Sequence, residues 1–189
     1  RLVQAGVRPI IPARPGYGQS TPAVDYGFSE HSDDLKQLAV HLHLATCSLS
    51  GFSGGGVFAM PTAHNLGNRI TQLDIAATPA VPLMGNPFAN ASELTSSTWQ
   101  LALTDRARLA IELEALTDSE ATLSSSLIDA AGDHEARYLK SDSFYPTFLE
   151  NLSAAVGHES AIASQALSTD HWLTASPWPF NTPSALISS

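Results

Sequence analysis

The sequence predicts an α/β architecture, a small parallel sheet flanked by helices and followed by an all-helical segment, on three observations. Up to Pro79, strand-like apolar stretches alternate with stretches whose apolar residues fall at helical spacing. Two glycine-rich turns, Arg14-Pro15-Gly16-Tyr17-Gly18 and Gly51-Phe52-Ser53-Gly54-Gly55-Gly56, punctuate that alternation. After Pro79 the strand signal stops, and Leu, Ile and Ala recur at helical spacing among Pro, Ala and Ser. Alternation with helical crossovers implies a parallel sheet, because antiparallel neighbours need only short hairpins.

In chain order, Arg1 to Gly6 reads as the tail of a helix, and Val7 to Ala13 (VRPIIPA) as a strand that ends at the Pro-Gly and Tyr-Gly turn. Glu30, Asp33 and Asp34 after Ser29 suit a helix first turn, and Leu35, Leu38 and Leu42 continue the helix to His43. Ala45 to Ser50 is a strand, Gly54 to Leu66 a helix, and Ile70 to Ala76 (ITQLDIA) a third strand. Beyond it, helices are expected near Thr98–Leu116, Asp129–Leu139, Phe144–Val156 and Ser160–Leu173, broken at Gly132-Asp133 and Val156-Gly157. Three regions result: a partial core over 1–79, a helical cap over 80–176, and the start of a return to the core over 177–189, marked by Pro177-Trp178-Pro179-Phe180 and Pro183.

Composition narrows the function classes. A chain of 189 residues with 43% hydrophobic and 14% charged residues is a globular domain, and no apolar run approaches the ~20 residues of a membrane span. Residues 1–79 carry five basic and five acidic side chains, whereas residues 80–176 carry four basic and thirteen acidic. Phosphate backbones need clustered Lys and Arg, so nucleic acid is excluded as a partner, and the acidic segment reads as a solvated surface. A disulfide framework is excluded by the single Cys47, which reads as a small core residue of a buried strand. The Asn-x-Ser matches at Asn90 and Asn151 are what chance supplies in a Ser-rich chain. No targeting signal is visible, and a cytoplasmic location is the expectation.

Gly51-Phe52-Ser53-Gly54-Gly55 satisfies G-x-S-x-G, in which a serine sits on a strained turn between a strand and a helix. At such a turn, side chains two before and two after the serine collide as the chain reverses, so Gly51 and Gly55 are expected to be sterically required. The helix then points its N-terminal end at the serine, and the Gly54 N–H is placed to donate to a developing oxyanion. An overlapping reading competes. Gly54-Gly55-Gly56-Val57-Phe58-Ala59 fits the dinucleotide fingerprint G-x-G-x-x-[GA], with Asp74 twenty residues on as a ribose ligand. Against it, Gly51-Phe52-Ser53 separates the strand from the first fingerprint glycine, and Asp74 falls within a strand rather than at its end. A Walker phosphate loop is excluded for lack of Gly-Lys-Ser/Thr.

The earlier turn favours the serine reading. Arg14-Pro15-Gly16-Tyr17-Gly18-Gln19-Ser20 resembles the turn after the fourth strand of the α/β-hydrolase superfamily. Ser29 to Leu44 resembles the helix before the nucleophile strand, Gly51 to Gly56 the nucleophile elbow, and Ile70 to Pro79 the next strand, after which a helical cap commonly follows. Ser176-Pro177-Trp178-Pro179-Phe180 resembles the segment leading from the cap to the sixth core strand. The resemblance implies an incomplete α/β-hydrolase core, a parallel three-strand remnant with flanking helices, plus an α-helical cap. It also implies a serine hydrolase acting on an ester, amide or related small acyl substrate, with Ser53 as nucleophile, Gly54 as an oxyanion donor, and neither cofactor nor metal.

In that family the acid and the histidine follow strands beyond the cap, and an oxyanion loop precedes the first strand seen here. Two further strand-helix units need about 30 residues each, so an internal fragment is expected, with little activity of its own. Of the histidines present, His64 lies ~16 Å of helix rise from Ser53, His134, His158 and His171 fall in the cap, and His31, His41 and His43 read as surface residues of the preceding helix. Departures from the family pattern are Pro9 and Pro12 in a strand that should be central, Pro61 inside the elbow helix, and Ala13 in place of the aspartate that often precedes the arginine. A dinucleotide-binding oxidoreductase and a non-catalytic relative remain the alternatives.

Overall fold

A computed structural model describes residues 3–89, 91–156 and 160–180, and all structural statements concern these. The fold is mixed α/β and mostly helical. Eight α-helices accompany a two-stranded parallel sheet. Helix α1 (Phe28–His41) precedes strand β1 (Cys47–Phe52), helix α2 (Gly54–Leu66) and strand β2 (Ile70–Ala76). The strands pair from Cys47 with Ile70 to Phe52 with Ala76, with an irregularity after Cys47. Helices α3 (Glu93–Thr104), α4 (Arg106–Thr117), α5 (Glu120–Ala130), α6 (Asp133–Leu139), α7 (Tyr145–Ala155) and α8 (Ser160–Ala175) follow.

Several boundaries differ from the sequence reading for identifiable reasons. Residues 7–14 form no strand, so the sheet has two strands among the described residues rather than three. Pro9 and Pro12 each lack the N–H a ladder needs. Helix α1 starts one residue earlier than expected, with Gly27 as its N-cap, and the Gly27 N–H donates to the Glu30 carboxylate at 3.1 Å. The expected helix over Thr98–Leu116 is two helices, because Asp105 leaves helical geometry and its carboxylate accepts the Arg108 N–H at 3.0 Å. The sequence reading has no counterpart for α5, whose Ser119 cap accepts the Thr122 N–H. Helix α6 starts at Asp133, after a break at Ala131 and Gly132. Cys47 opens β1 half-buried rather than in the core. Asn90, Gly157, His158 and Pro183 lie outside the described residues.

Pro61 sits well inside α2, where it cannot donate to the Val57 carbonyl. The helix nevertheless runs from Gly54 to Leu66, with Pro61 fully packed. On the next residue the Thr62 hydroxyl donates to the Phe58 carbonyl at 2.8 Å and lies 3.3 Å from the Ser32 hydroxyl of α1. Tertiary contacts therefore support the helix where its ladder is interrupted.

The main apolar cluster joins both halves of the molecule. Phe28 of α1, Val57 and Phe58 of α2 and Leu173 of α8 are buried together, with Tyr26, Trp178 and Phe180 packed against them. Phe28 meets Phe58 and Phe180 edge-on at 5.4 and 5.3 Å between ring centroids. Side chains of this size contribute about 1.5–3 kcal/mol each on full burial, so the cluster is what seats α8 and the segment after it on α1 and α2. Further clusters lie around Val81, Trp99 and Ala175, and around Ala102, Leu109 and Leu113.

Candidate active site

Strand β1 ends at Phe52 and α2 begins at Gly54, which leaves Ser53 alone to reverse the chain. Its backbone has φ +52° and ψ −132°. That ψ is far from the left-handed helical well near +47°, so the residue is strained in a way an ordinary left-handed turn residue is not. Ser53 is exposed, its N–H donates to the Ala76 carbonyl at 2.9 Å, and its carbonyl accepts from the Gly56 N–H at 3.0 Å.

The glycines divide in a way the motif alone does not show. A Cβ on Gly51 would lie 2.5 Å from Gly56 Cα and 2.8 Å from Gly56 N, so no side chain fits there without displacing α2. A Cβ on Gly55 would meet nothing within 4 Å, so the steric role expected of Gly55 is not seen. The crowded helix glycine is Gly56, where a Cβ would overlap the Thr78 hydroxyl. The reason is helical phase. Gly56, three residues after the serine, is the position that α2 turns back toward β1 and the end of β2.

Gly54 is the first residue of α2, and among the described residues its N–H has no hydrogen-bond acceptor. A helix of 13 residues thus presents an unpaired donor and the positive end of its dipole beside an exposed serine hydroxyl. Among the described residues, Ser53 Oγ hydrogen-bonds to neither a histidine nor a carboxylate. His41, His43, His64 and His134 are exposed. Asp74 lies within β2, paired with Ser50, and its carboxylate is bound by the Gln72 side chain at 2.9 and 3.0 Å. That position leaves it two residues short of the strand end, where a ribose ligand would be needed. His158 is outside the described residues.

His31 departs from the surface position read for it. It is 8% exposed, lies edge-on to Phe58 at 4.9 Å, and shares a 2.9 Å hydrogen bond with the Tyr26 hydroxyl. Burial, and then the nearby Arg14 charge, lower its pKa to about 4. The spacing of Phe28, His31, Ser32, Leu35 and Ala39 on one helix face was the available signal.

The Arg14 turn docks on the helical half instead of ending a strand. Arg14 pairs with Asp170 of α8, and the Tyr17 hydroxyl donates to the same carboxylate at 2.7 Å. The guanidinium also lies 4.6 Å from the Phe58 ring centroid and 5.2 Å from that of Tyr17. Burial, the largest single influence, opposes the Arg14 charge, but Asp170 and Tyr17 together hold its pKa above the ordinary value. Burial and then Asp170 push the Tyr17 hydroxyl well up. Burial lowers His171, partly offset by Asp170. Two backbone contacts complete the joint: the Gly18 N–H donates to the Ala155 carbonyl at 3.1 Å, and Gly16 lies so close to α8 that a Cβ would come within 2.8 Å of Ala166 Cβ. Ser20 closes the turn by donating to the Ala13 carbonyl at 2.9 Å. Asp170 was not legible as a partner because nothing in the sequence links residues 156 positions apart.

A cleft of about 900 Å³ lies between residues 7–12 and β1, floored by α1 and α2, and reaches Gly51, Phe52 and Gly55 on either side of Ser53. Leu38, Phe58 and Ala59 line its floor, and Arg14 and His31 lie on its wall. A smaller cavity of about 370 Å³ lies apart from the elbow, between α5 and the start of α7. Among the described residues no helix is long and apolar enough to cross a membrane, and no three His, Cys, Asp or Glu side chains are grouped to hold a metal. Compared with known proteins, the chain significantly matches no family model, no curated protein and no solved structure.

Proposed function

We propose that this chain carries the nucleophile of a serine hydrolase of the α/β-hydrolase type, acting on an ester, amide or related acyl substrate. The observation that carries the reading is the backbone of Ser53. A glycine loop built only to cradle phosphate has no need of a non-glycine residue at φ +52° and ψ −132°, since glycine would adopt that geometry without strain. Strain of this kind is kept where it aims a side chain, and here it holds an exposed hydroxyl ahead of a helix N-terminus.

In this reading Ser53 Oγ attacks the acyl carbon, its proton passes to a general base, and the carbonyl oxygen gains negative charge beside the Gly54 N–H. One such donor contributes about 3 kcal/mol to transition-state binding. In the same reading the described elements up to β2 belong to the partial core, and helices α3 to α8 to the cap. Among the described residues no histidine or carboxylate hydrogen-bonds to Ser53 Oγ, so in this fold the hydroxyl stands without a base. A lone serine hydroxyl is a poor nucleophile at neutral pH, so residues 3–180 alone are expected to turn over little substrate.

The test is covalent labelling of the complete protein by a fluorophosphonate, with the adduct mapped by peptide mass spectrometry. An adduct on the Ser53 peptide that disappears in Ser53→Ala supports the reading. Labelling unaffected by that substitution overturns it. The dinucleotide alternative has no comparable support, since Asp74 is tied to Gln72 inside β2.

A further inference from the structure

We propose that Thr78 is a positioning residue for Ser53, holding the start of α2 against the end of the sheet so that the strained elbow conformation persists. The proposal rests on the reading of Ser53 as a nucleophile. Backbone strain at one residue survives only where the surroundings over-determine the conformation. The surroundings of Ser53 are therefore the place to look for what holds it.

Three contacts converge from the end of β2. The Ala76 carbonyl accepts the Ser53 N–H at 2.9 Å, and the Thr78 hydroxyl approaches the same oxygen at 3.4 Å. Between them Ala77 has φ +50°, so two spatially neighbouring non-glycine residues, Ser53 and Ala77, have positive φ at one end of the sheet. That reversal brings the Thr78 side chain onto Gly56, where an added Cβ would come 2.9 Å from Thr78 Cβ and 3.0 Å from Thr78 Cγ2. Gly56 in turn touches Gly51 and donates its N–H to the Ser53 carbonyl.

The first turn of α2 is thus wedged between Gly51 of β1 and Thr78. The wedge fixes both peptide groups of Ser53: the N–H through Ala76, and the carbonyl through Gly56. Because Gly54 follows Ser53 directly, the same wedge sets where the Gly54 N–H points. Thr78 acts through the backbone of these residues and touches no reacting atom.

The experiment compares Thr78→Ala, Thr78→Ser, Gly56→Ala and the double variant Gly56→Ala with Thr78→Gly. One readout is amide hydrogen exchange at Ser53 relative to Phe58, a buried residue of the same helix. The other is the rate of fluorophosphonate labelling of the complete protein. Thr78→Ala and Gly56→Ala are expected to speed Ser53 exchange about tenfold relative to Phe58 and to slow labelling about tenfold. Thr78→Ser, which keeps the hydroxyl, stays near wild type. The double variant recovers most of the Gly56→Ala loss, as expected for residues in direct contact. An unchanged Ser53-to-Phe58 exchange ratio in Thr78→Ala overturns the proposal, and so does equal acceleration at both amides, which marks a general loss of stability. If the exchange ratio shifts while the wild-type protein is never labelled, the positioning role stands and the nucleophile reading falls.

Discussion

Replacing Ser53 by glycine should stabilise the fold, although the residue removed is the proposed nucleophile. The structure supplies the magnitude. At φ +52° and ψ −132° a residue with a Cβ carries about 1–3 kcal/mol of strain. Glycine removes that strain, and gives back up to about 1 kcal/mol through the greater freedom of its unfolded chain. The net gain is about 1 kcal/mol. Ser53→Ala keeps the Cβ and the strain, and the exposed serine hydroxyl it removes makes no hydrogen bond among the described residues, so the variant should stay within about 0.5 kcal/mol of wild type. Urea unfolding followed by far-ultraviolet circular dichroism reads the difference. For a denaturant slope of about 2 kcal/mol/M, Ser53→Gly should unfold about 0.5 M later than Ser53→Ala. A Ser53→Gly midpoint equal to or below that of Ser53→Ala would refute the claim that the elbow is strained.

Other substitutions test the surroundings. Gly51→Ala should destabilise by about 1–3 kcal/mol, because its Cβ meets the backbone of Gly56. Gly55→Ala, with open space around it, should be neutral or gain up to about 1 kcal/mol of helix propensity; the two midpoints are compared in the same urea assay. Asp170→Asn should cost about 2 kcal/mol, less than a fully buried pair because the Arg14 side chain is 25% exposed. Amide exchange should report that cost first in the residues flanking Gly18 and Ala166. His31 supplies the pH dependence. Its pKa is lowered on folding, so the stabilisation is complete above about pH 6.5, where both states are neutral. It is lost as pH falls from there toward 4, because the unfolded chain takes up the proton first. His31→Phe, which cannot titrate, should flatten the stability curve across that window, as measured by urea midpoints at pH 7 and pH 4.5.

Local signals were the legible ones. The boundaries of α2 and β2 follow from the residues themselves: Ser53-Gly54 opens the helix, Gly67 closes it, and the β-branched Ile70 to Ala76 stretch extends. The strained serine was legible too, since G-x-S-x-G encodes a turn with no room for a side chain at Gly51. The prolines of residues 7–13 are visible in the sequence, where an apolar run outweighs them, whereas in the fold a missing ladder donor decides whether a strand pairs. Long-range contacts carry no sequence trace. Asp170 sits in a helix whose apolar spacing says nothing of Arg14, and Thr78 matters only because Ala77 reverses the chain onto Gly56. His31 misleads for a different reason: its polarity suggests the surface, while its helix phase places it beside Phe58.

The nucleophile assignment of Ser53 is tested most directly by fluorophosphonate labelling of the complete protein, with the adduct mapped by mass spectrometry. One adduct is expected on the peptide containing Ser53, absent from Ser53→Ala and slowed in Thr78→Ala. A folded protein that is not labelled, or is labelled equally well without Ser53, would contradict the assignment.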